Sequence, residues 1–329
     1  MMRNIINIRK LGTTLCVFCI GLGIGFFGNV FSEKVLVRSL QQTLAVCAKN
    51  IQNQAYIGCL RQRLWPIVSP HTLPFVMQYL ETHAKSPEFF SRNGSISTCH
   101  TIGHIIGEIV ARSETSIPTL IRSCGTGRTC GDGCVHGVIL EKIKANPSAI
   151  SMIEQICGIS DVSASTMETI NCYHAFGHVY AQVGAPSMVD ALQLCDKIYT
   201  EEYKAQCLDG VFMEFFVPTL DSHMSYGTLD QEFMGCSALP DVSLRFRCYT
   251  HIGESIYLAG TVDFQHAILS CQREDVRATT GCLYGFIQGV IAEDGVGRLA
   301  SVACKSLSQI NQGICYDQAK IILENRHDN

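Results

Sequence analysis

Apolar positions along the chain fall into two alternating kinds of segment. In the first kind, residues 147–157, 187–195 and 262–271, apolar side chains recur at intervals of three and four. That is the period of a helix with one buried face. Pro147 and Pro186 stand where such helices begin, with Ser and Asp nearby as caps. In the second kind, such as Val135 to Ile143 and Leu283 to Ala292, the run is apolar almost throughout. A helix hydrophobic nearly all round is a buried one. Each repeating unit therefore reads as an outer amphipathic helix, a turn and an inner buried helix. Residues 60–98 carry Pro66, Pro70 and Pro74 and hold one further outer helix, predicted over Phe75 to His83.

Cysteines punctuate this alternation. Seven pairs close intervals of 10 to 15 residues: Cys47/Cys59, Cys124/Cys134, Cys157/Cys172, Cys195/Cys207, Cys236/Cys248, Cys271/Cys282 and Cys304/Cys315. With Cys99 included, the second members are 40, 35, 38, 35, 41, 34 and 33 residues apart. A period in that range marks stacked supersecondary units. The expected fold is all-α: about eight αα-hairpins, each pinned at its turn by a disulfide, forming a solenoid or a closed α/α toroid. Cys99 opens one inner helix and Cys130 lies just before the next, so these two are predicted to form an eighth bridge. Thiolate metal ligation is the minority reading, since Cys124-x5-Cys130-x3-Cys134 lacks the paired spacing of zinc sites. Each bridge contributes about 3 kcal/mol in the chain-entropy model. The cysteine pair and helix hairpin resemble Sel1-like, tetratricopeptide-related repeats. The spacing here is longer, and the Leu-Gly and Gly-x-Gly positions of those repeats do not recur in register. The resemblance therefore carries the hairpin alone.

The N-terminus supplies the compartment. Arg3, Arg9 and Lys10 precede an uncharged run from Leu11 to Phe31, long enough to span a bilayer. Basic residues before such a run keep the N-terminus in the cytoplasm. The expected organisation is a cytoplasmic segment 1–10, a transmembrane signal anchor 11–31, and a cysteine-rich domain 32–329 that is periplasmic or extracellular. A signal peptide cleaved near Val30-Phe31-Ser32 is the alternative. Export into an oxidising compartment is what lets sixteen of the 18 cysteines form disulfides, leaving Cys16 and Cys19 in the membrane segment. The whole chain has a formal charge of -4; without Arg3, Arg9 and Lys10, 22 basic residues face 29 acidic ones, a balance near -7. That balance excludes nucleic acid as a partner.

Histidines collect at the starts of inner helices. His136, His174 and Asp209 each stand two residues after a second cysteine; His100, His104 and His178 fall nearby, and His251 and Glu254 follow Cys248. Six of the eleven histidines occupy this zone. His100/His104 and His174/His178 are spaced i,i+4, which puts both rings of each pair on one helix face. Glu108 extends the first face by another turn. A helix N-terminus disfavours imidazolium, and a neutral imidazole is a metal ligand or a general base. The set His100, His104, His136, His174, His178, His251, Glu254 and Asp209 is therefore the candidate site for a divalent metal, zinc or iron. The His-Glu-x-x-His and Cys-x-x-Cys-His forms are absent, as are a phosphate-loop lysine and a Gly-x-Ser-x-Gly elbow. Gly131-Asp-Gly133 reads as a tight turn, and Glu214 as a helix-surface carboxylate in preference to a ligand. Asn93-Gly-Ser is a glycosylation sequon.

These features point to a membrane-anchored extracytoplasmic metalloprotein, a hydrolase or an oxidoreductase if it is an enzyme. Two alternatives use the same architecture: a scaffold whose concave face docks a peptide or protein, with structural histidines, and an envelope protein with a purely structural role.

Overall fold

A computed structural model describes residues 33–48, 53–83, 95–125, 130–157, 166–185, 187–216, 228–259, 264–294 and 297–327. The expected anchor 11–31, Cys16, Cys19 and Asn93 lie outside the described residues. Among the described residues there is no strand, and no helix is long and apolar enough to cross a membrane.

The chain alternates outer and inner helices. The outer ones are α1 (33–47), α3 (Leu73–His83), α5 (Ile117–Cys124), α7 (Ile153–Ile156), α9 (Met188–Cys195), α11 (Leu229–Ser237), α13 (Phe264–Ala267) and α15 (Arg298–Cys304). The inner ones are α2 (Asn53–Leu64), α4 (Ser95–Ala111), α6 (Cys130–Ala145), α8 (Thr166–Val179), α10 (Glu201–Phe216), α12 (Val242–Ala259), α14 (Val276–Asp294) and α16 (Gln309–His327). Each inner helix packs on the inner helix of the next unit, in chain order from α2 to α16. All eight predicted bridges form, including Cys99–Cys130. That eighth bridge joins two inner helices directly, because α3 carries no cysteine.

Two details of the staples differ from the sequence expectation. The second cysteines do not open their inner helices but stand inside them: Cys99 and Cys134 are fifth residues, while Cys59, Cys172, Cys207, Cys248, Cys282 and Cys315 are seventh. Each inner helix therefore starts one or two turns earlier than its apolar run. The second difference is at Cys59. Its bridge to Cys47 forms, yet Cys59 is only half-buried, whereas the other fifteen bridge cysteines are buried. A carbon added at the adjoining Gly58 meets nothing within 4 Å. Cys59 is thus a staple at the edge of the core.

Local chemistry sets the helix ends. Ser187 accepts the Asp190 amide at the start of α9, and Thr228 with Gln231 forms a capping box on α11. Gly125 closes α5 at a φ of 80°, in the left-handed region that suits glycine. The start of α6 is capped from another unit: the Glu81 carboxylate of α3 accepts the amides of Cys130 and Gly131 at 2.8 and 2.9 Å. Two outer segments depart from the single helices expected of their periodicity. Residues Pro147–Met152 form a 3-10 helix before the one-turn α7, and α13 runs into a 3-10 turn at Ile268–Cys271. Both are short pieces held between an inner helix and a disulfide, and short pieces take the tighter 3-10 form readily.

Glycines, more than cysteines, set the spacing of the inner helices. A Cβ on Gly103 or Gly107 of α4 would overlap the backbone oxygens of Cys130 and Cys134 in α6. On Gly133 or Gly137 of α6, it would overlap those of His100 and His104 in α4. The same reciprocal contact joins α8 to α10 through Gly177 and Gly210, and α12 to α14 through Gly253 and Gly285. No such pair joins α6 to α8 or α10 to α12 among the described residues. The inner helices therefore form tight couples separated by wider joints, and the full repeat is two hairpins long: Gly103, Gly177 and Gly253 stand 74 and 76 residues apart. Gly137→Ala is expected to cost about 3 kcal/mol, because the clash is with backbone that cannot rotate away. Gly58→Ala, at its open helical site, should instead stabilise by about 0.5–1 kcal/mol. Urea unfolding of the oxidised chains checks both; equal midpoints for the two variants would refute the tight-couple account.

Candidate metal centre

The glycine contacts explain which side chains meet. His104, His178 and Glu254 directly follow Gly103, Gly177 and Gly253, while His100, His174 and Thr250 stand three residues before those glycines. On the partner helices, His136, Asp209 and Tyr284 directly precede Gly137, Gly210 and Gly285. Each of these positions flanks a helix contact, so each recurs on the same face. His251 stands one place past Thr250 and outside this register.

Five of the histidines converge from α4, α6 and α8, with His136 at the centre. The His136 ring lies 4.9 Å from His100, 5.7 Å from His104, 4.9 Å from His174 and 4.5 Å from His178, measured between centroids. The rings of His136, His174 and His178 fill the wide joint between α6 and α8. His136, His174 and His178 each offer a nitrogen within 4.8 Å of the others, and His100, Asp132 and His136 make a second such trio. A buried histidine trio of this kind can hold a metal ion.

Carboxylates behind the rings fix how they present their nitrogens. His178 Nδ1 lies 2.9 Å from Glu214 Oε2, a carboxylate only 2% exposed. The carboxylate can only accept, so Nδ1 carries the proton and Nε2 presents its lone pair. That Nε2 faces His174 Nε2 at 3.3 Å. Two nitrogens bound to one tetrahedral zinc at about 2.0–2.1 Å stand about 3.3 Å apart. His104 Nδ1 lies 3.8 Å from Glu108, whose two oxygens take both arms of the Arg61 guanidinium at 3.0 and 3.1 Å. Those contacts with His104 and Arg61 outweigh burial and hold the Glu108 carboxyl near about 2.

Burial, rather than the helix dipole, governs the protonation of the rings. The five rings lie in the second to fourth turns of their helices, and the dipole's influence fades beyond the first. Burial drives His100 down to about 4 and lowers His136 and His174, so these rings are neutral at physiological pH. Asp132 lies 3.2 Å from His136 Nε2, and the rings around it hold its carboxyl below the usual carboxylate range although burial alone would raise it. Both His136 nitrogens and His100 Nε2 are buried and make no hydrogen bond. Buried ring nitrogens normally have partners. His100 and His104 keep 13% and 17% of their side-chain surface exposed, so one side of the cluster reaches solvent.

The remaining candidates assemble elsewhere, in the joint between α10 and α12. His251 lies 3.5 Å from Asp209 and 3.3 Å from Glu254, and Arg247 donates to Asp209 at 2.7 Å. Burial would lower His251, but these two carboxylates lift it to about 9. A protonated ring with two carboxylates and an arginine is a closed ion cluster, and it belongs to neither metal trio. The sequence reading missed Asp132 as a candidate. It lies in the first turn of α6, four residues before His136, and that i,i+4 spacing was the available signal. Glu214 is a buried partner of His178 rather than a surface carboxylate. Directly after His178 and Val179 the chain forms a π-helical turn, Tyr180–Gly184, a feature frequent beside functional sites.

Comparison with protein-family models, with curated proteins and with solved structures finds no match to this chain.

Proposed function

We propose that this chain is a membrane-anchored extracytoplasmic metalloprotein that binds a divalent ion, zinc or iron, through His136, His174 and His178. The observation that carries this reading is the 3.3 Å approach of the His174 and His178 Nε2 atoms with Glu214 behind His178. Two ring nitrogens that close share either a proton or a cation between them. A cation also takes up one of the two buried His136 nitrogens that make no hydrogen bond. Three protein ligands leave the fourth position of a tetrahedral ion free, which is the composition of a reactive metal site rather than a structural one. The metal-dependent hydrolase or oxidoreductase reading rests on that composition.

The helix row supports the same reading. The rings of α4, α6 and α8 meet around His136, with centroids 4.5 to 5.7 Å from it, so three successive inner helices bring side chains to a common centre. We therefore read the row as a strongly curved solenoid with the histidines on its inner face. Eight disulfides support a domain outside the cytoplasm, and residues 11–31 supply the tether.

Metal analysis of the full oxidised chain, purified in detergent and supplied with zinc or iron(II), tests the proposal. At least one tightly held ion per chain is expected. His174→Ala/His178→Ala should abolish binding at this site, and Glu214→Gln should weaken it by about 10–100-fold. An unmutated chain that retains no stoichiometric metal overturns the reading.

A further inference from the structure

The two metal trios meet in one residue. His174 and His178 of α8 lie to one side of His136; His100 of α4 and Asp132, one turn before His136 on α6, complete the second trio. His100 Nδ1 lies 3.6 Å from Asp132 Oδ2, and Asp132 Oδ1 lies 3.2 Å from His136 Nε2. The Cys99–Cys130 bridge ties together the helix segments that carry His100 and Asp132. It is the one bridge outside the outer-to-inner pattern, and it sits where this second trio needs α4 and α6 fixed. Both His136 nitrogens are buried and make no hydrogen bond, and the same holds for His100 Nε2. A single ion on the first trio leaves His100 Nε2 and one His136 nitrogen unsatisfied.

Resting on the metal reading above, we propose that a second divalent cation binds His100, Asp132 and His136, making a two-ion centre with His136 as a bridging ring. A ring nitrogen has one lone pair in the ring plane, so one nitrogen cannot serve two ions. Each nitrogen of His136 takes one ion. When the second ion binds, the remaining N–H bond breaks, a metal–nitrogen bond forms in its place, and the proton leaves to water. The bridging imidazolate adds a negative charge beside Asp132, which offsets the added cation. Metal–nitrogen bonds of about 2 Å on both sides of the ring set the ions about 6 Å apart. That is wider than the about 3.5–4 Å at which two metals clamp a single transferring group. The ions therefore act as two sites coupled through a ring, and the partly exposed His100 puts the second beside solvent.

Copper(II) alone is the probe, because imidazole sets hold it at least as tightly as zinc. The full oxidised chain is titrated and its electron paramagnetic resonance followed. Two tight equivalents are expected, with the one-equivalent spectrum broadened or lost as the second ion couples to the first. Asp132→Asn and His100→Gln should each bind a single equivalent and keep the uncoupled spectrum. His174→Ala/His178→Ala should likewise keep one, at the other trio. One equivalent in the unmutated chain, undisturbed by Asp132→Asn, overturns the second site and leaves the first standing. Two equivalents without spin coupling overturn the bridging ring, and Asp132→Asn or His100→Gln chains that hold both ions overturn the assignment. No bound copper at all removes both proposals together.

Discussion

Replacing His136 with leucine is expected to leave the metal-free fold as stable as before, or more stable, while abolishing all stabilisation by added metal. His136 is 1% exposed, and neither of its nitrogens has a hydrogen bond. A buried polar atom without a partner costs about 1–3 kcal/mol. Leucine brings no polar atom to desolvate into the place now held by the ring among His100, His104, His174 and His178. In the metal-free chain the substitution therefore removes a penalty. With metal the sign reverses: an ion at a hundred times its dissociation constant stabilises the unmutated chain by about 2.7 kcal/mol, and His136→Leu loses that gain. Urea unfolding of the oxidised chain with and without a chelator measures both halves. A histidine kept for structure gives the opposite pattern, since its loss destabilises the metal-free protein. A metal-free His136→Leu chain that is less stable by about 2 kcal/mol or more would falsify the ligand assignment.

The sequence made the staples legible because cysteine pairing leaves a spacing that survives any variation in the turn. Those same turns vary from 10 to 15 residues, so cysteines locate hairpins without fixing the register of side chains between neighbouring hairpins. Glycine does fix it, because a backbone oxygen packed on a Cα admits no slip. Read from the glycines, Cys172 and Cys248 both stand five residues before Gly177 and Gly253, and Cys134, Cys207 and Cys282 all stand three before theirs. His251 then falls one place outside the histidine column, with Glu254 inside it, which is why His251 finds Asp209 and not the rings. Thr98 holds the place of Cys172, and Cys99 is free to turn toward Cys130. Cys59 and Cys315, in the two end hairpins, have no glycine in either register. Asp132 was hidden for a related reason. Gly131-Asp-Gly133 has turn composition, and only the distant Glu81 and the extra bridge let a helix begin there. The burial of Glu214 depends on the closeness of α8 and α10, which periodicity along α10 alone does not contain.

Reduction of the disulfides is expected to unfold the domain completely. In the chain-entropy model, the bridges closing 10 to 15 residues contribute about 3 kcal/mol each, and Cys99–Cys130, closing 31, about 4 kcal/mol. Domains are stable by about 5–15 kcal/mol in total, so losing three or four of the eight bridges removes a comparable amount, and losing all eight, about 25 kcal/mol, exceeds it. Short elements make the dependence sharper. Neither α7 nor α13 exceeds one turn, and each is held against its inner helix through Cys157 or Cys271. Far-ultraviolet dichroism with increasing thiol reductant should show a cooperative loss of helix. Thiol titration should count two free cysteines before reduction, Cys16 and Cys19, and all 18 after it. Bound metal should delay the loss selectively at Cys99–Cys130, because His100 directly follows one half of that bridge and Asp132 lies two residues past the other. Alanine at both Cys304 and Cys315, in the terminal hairpin, should leave metal content unchanged, whereas alanine at both Cys99 and Cys130 should lower it. A fully reduced chain that keeps its helix content and unfolds cooperatively in urea would show that packing alone sustains the repeat. The glycine couples, rather than the staples, would then be the principal source of its stability.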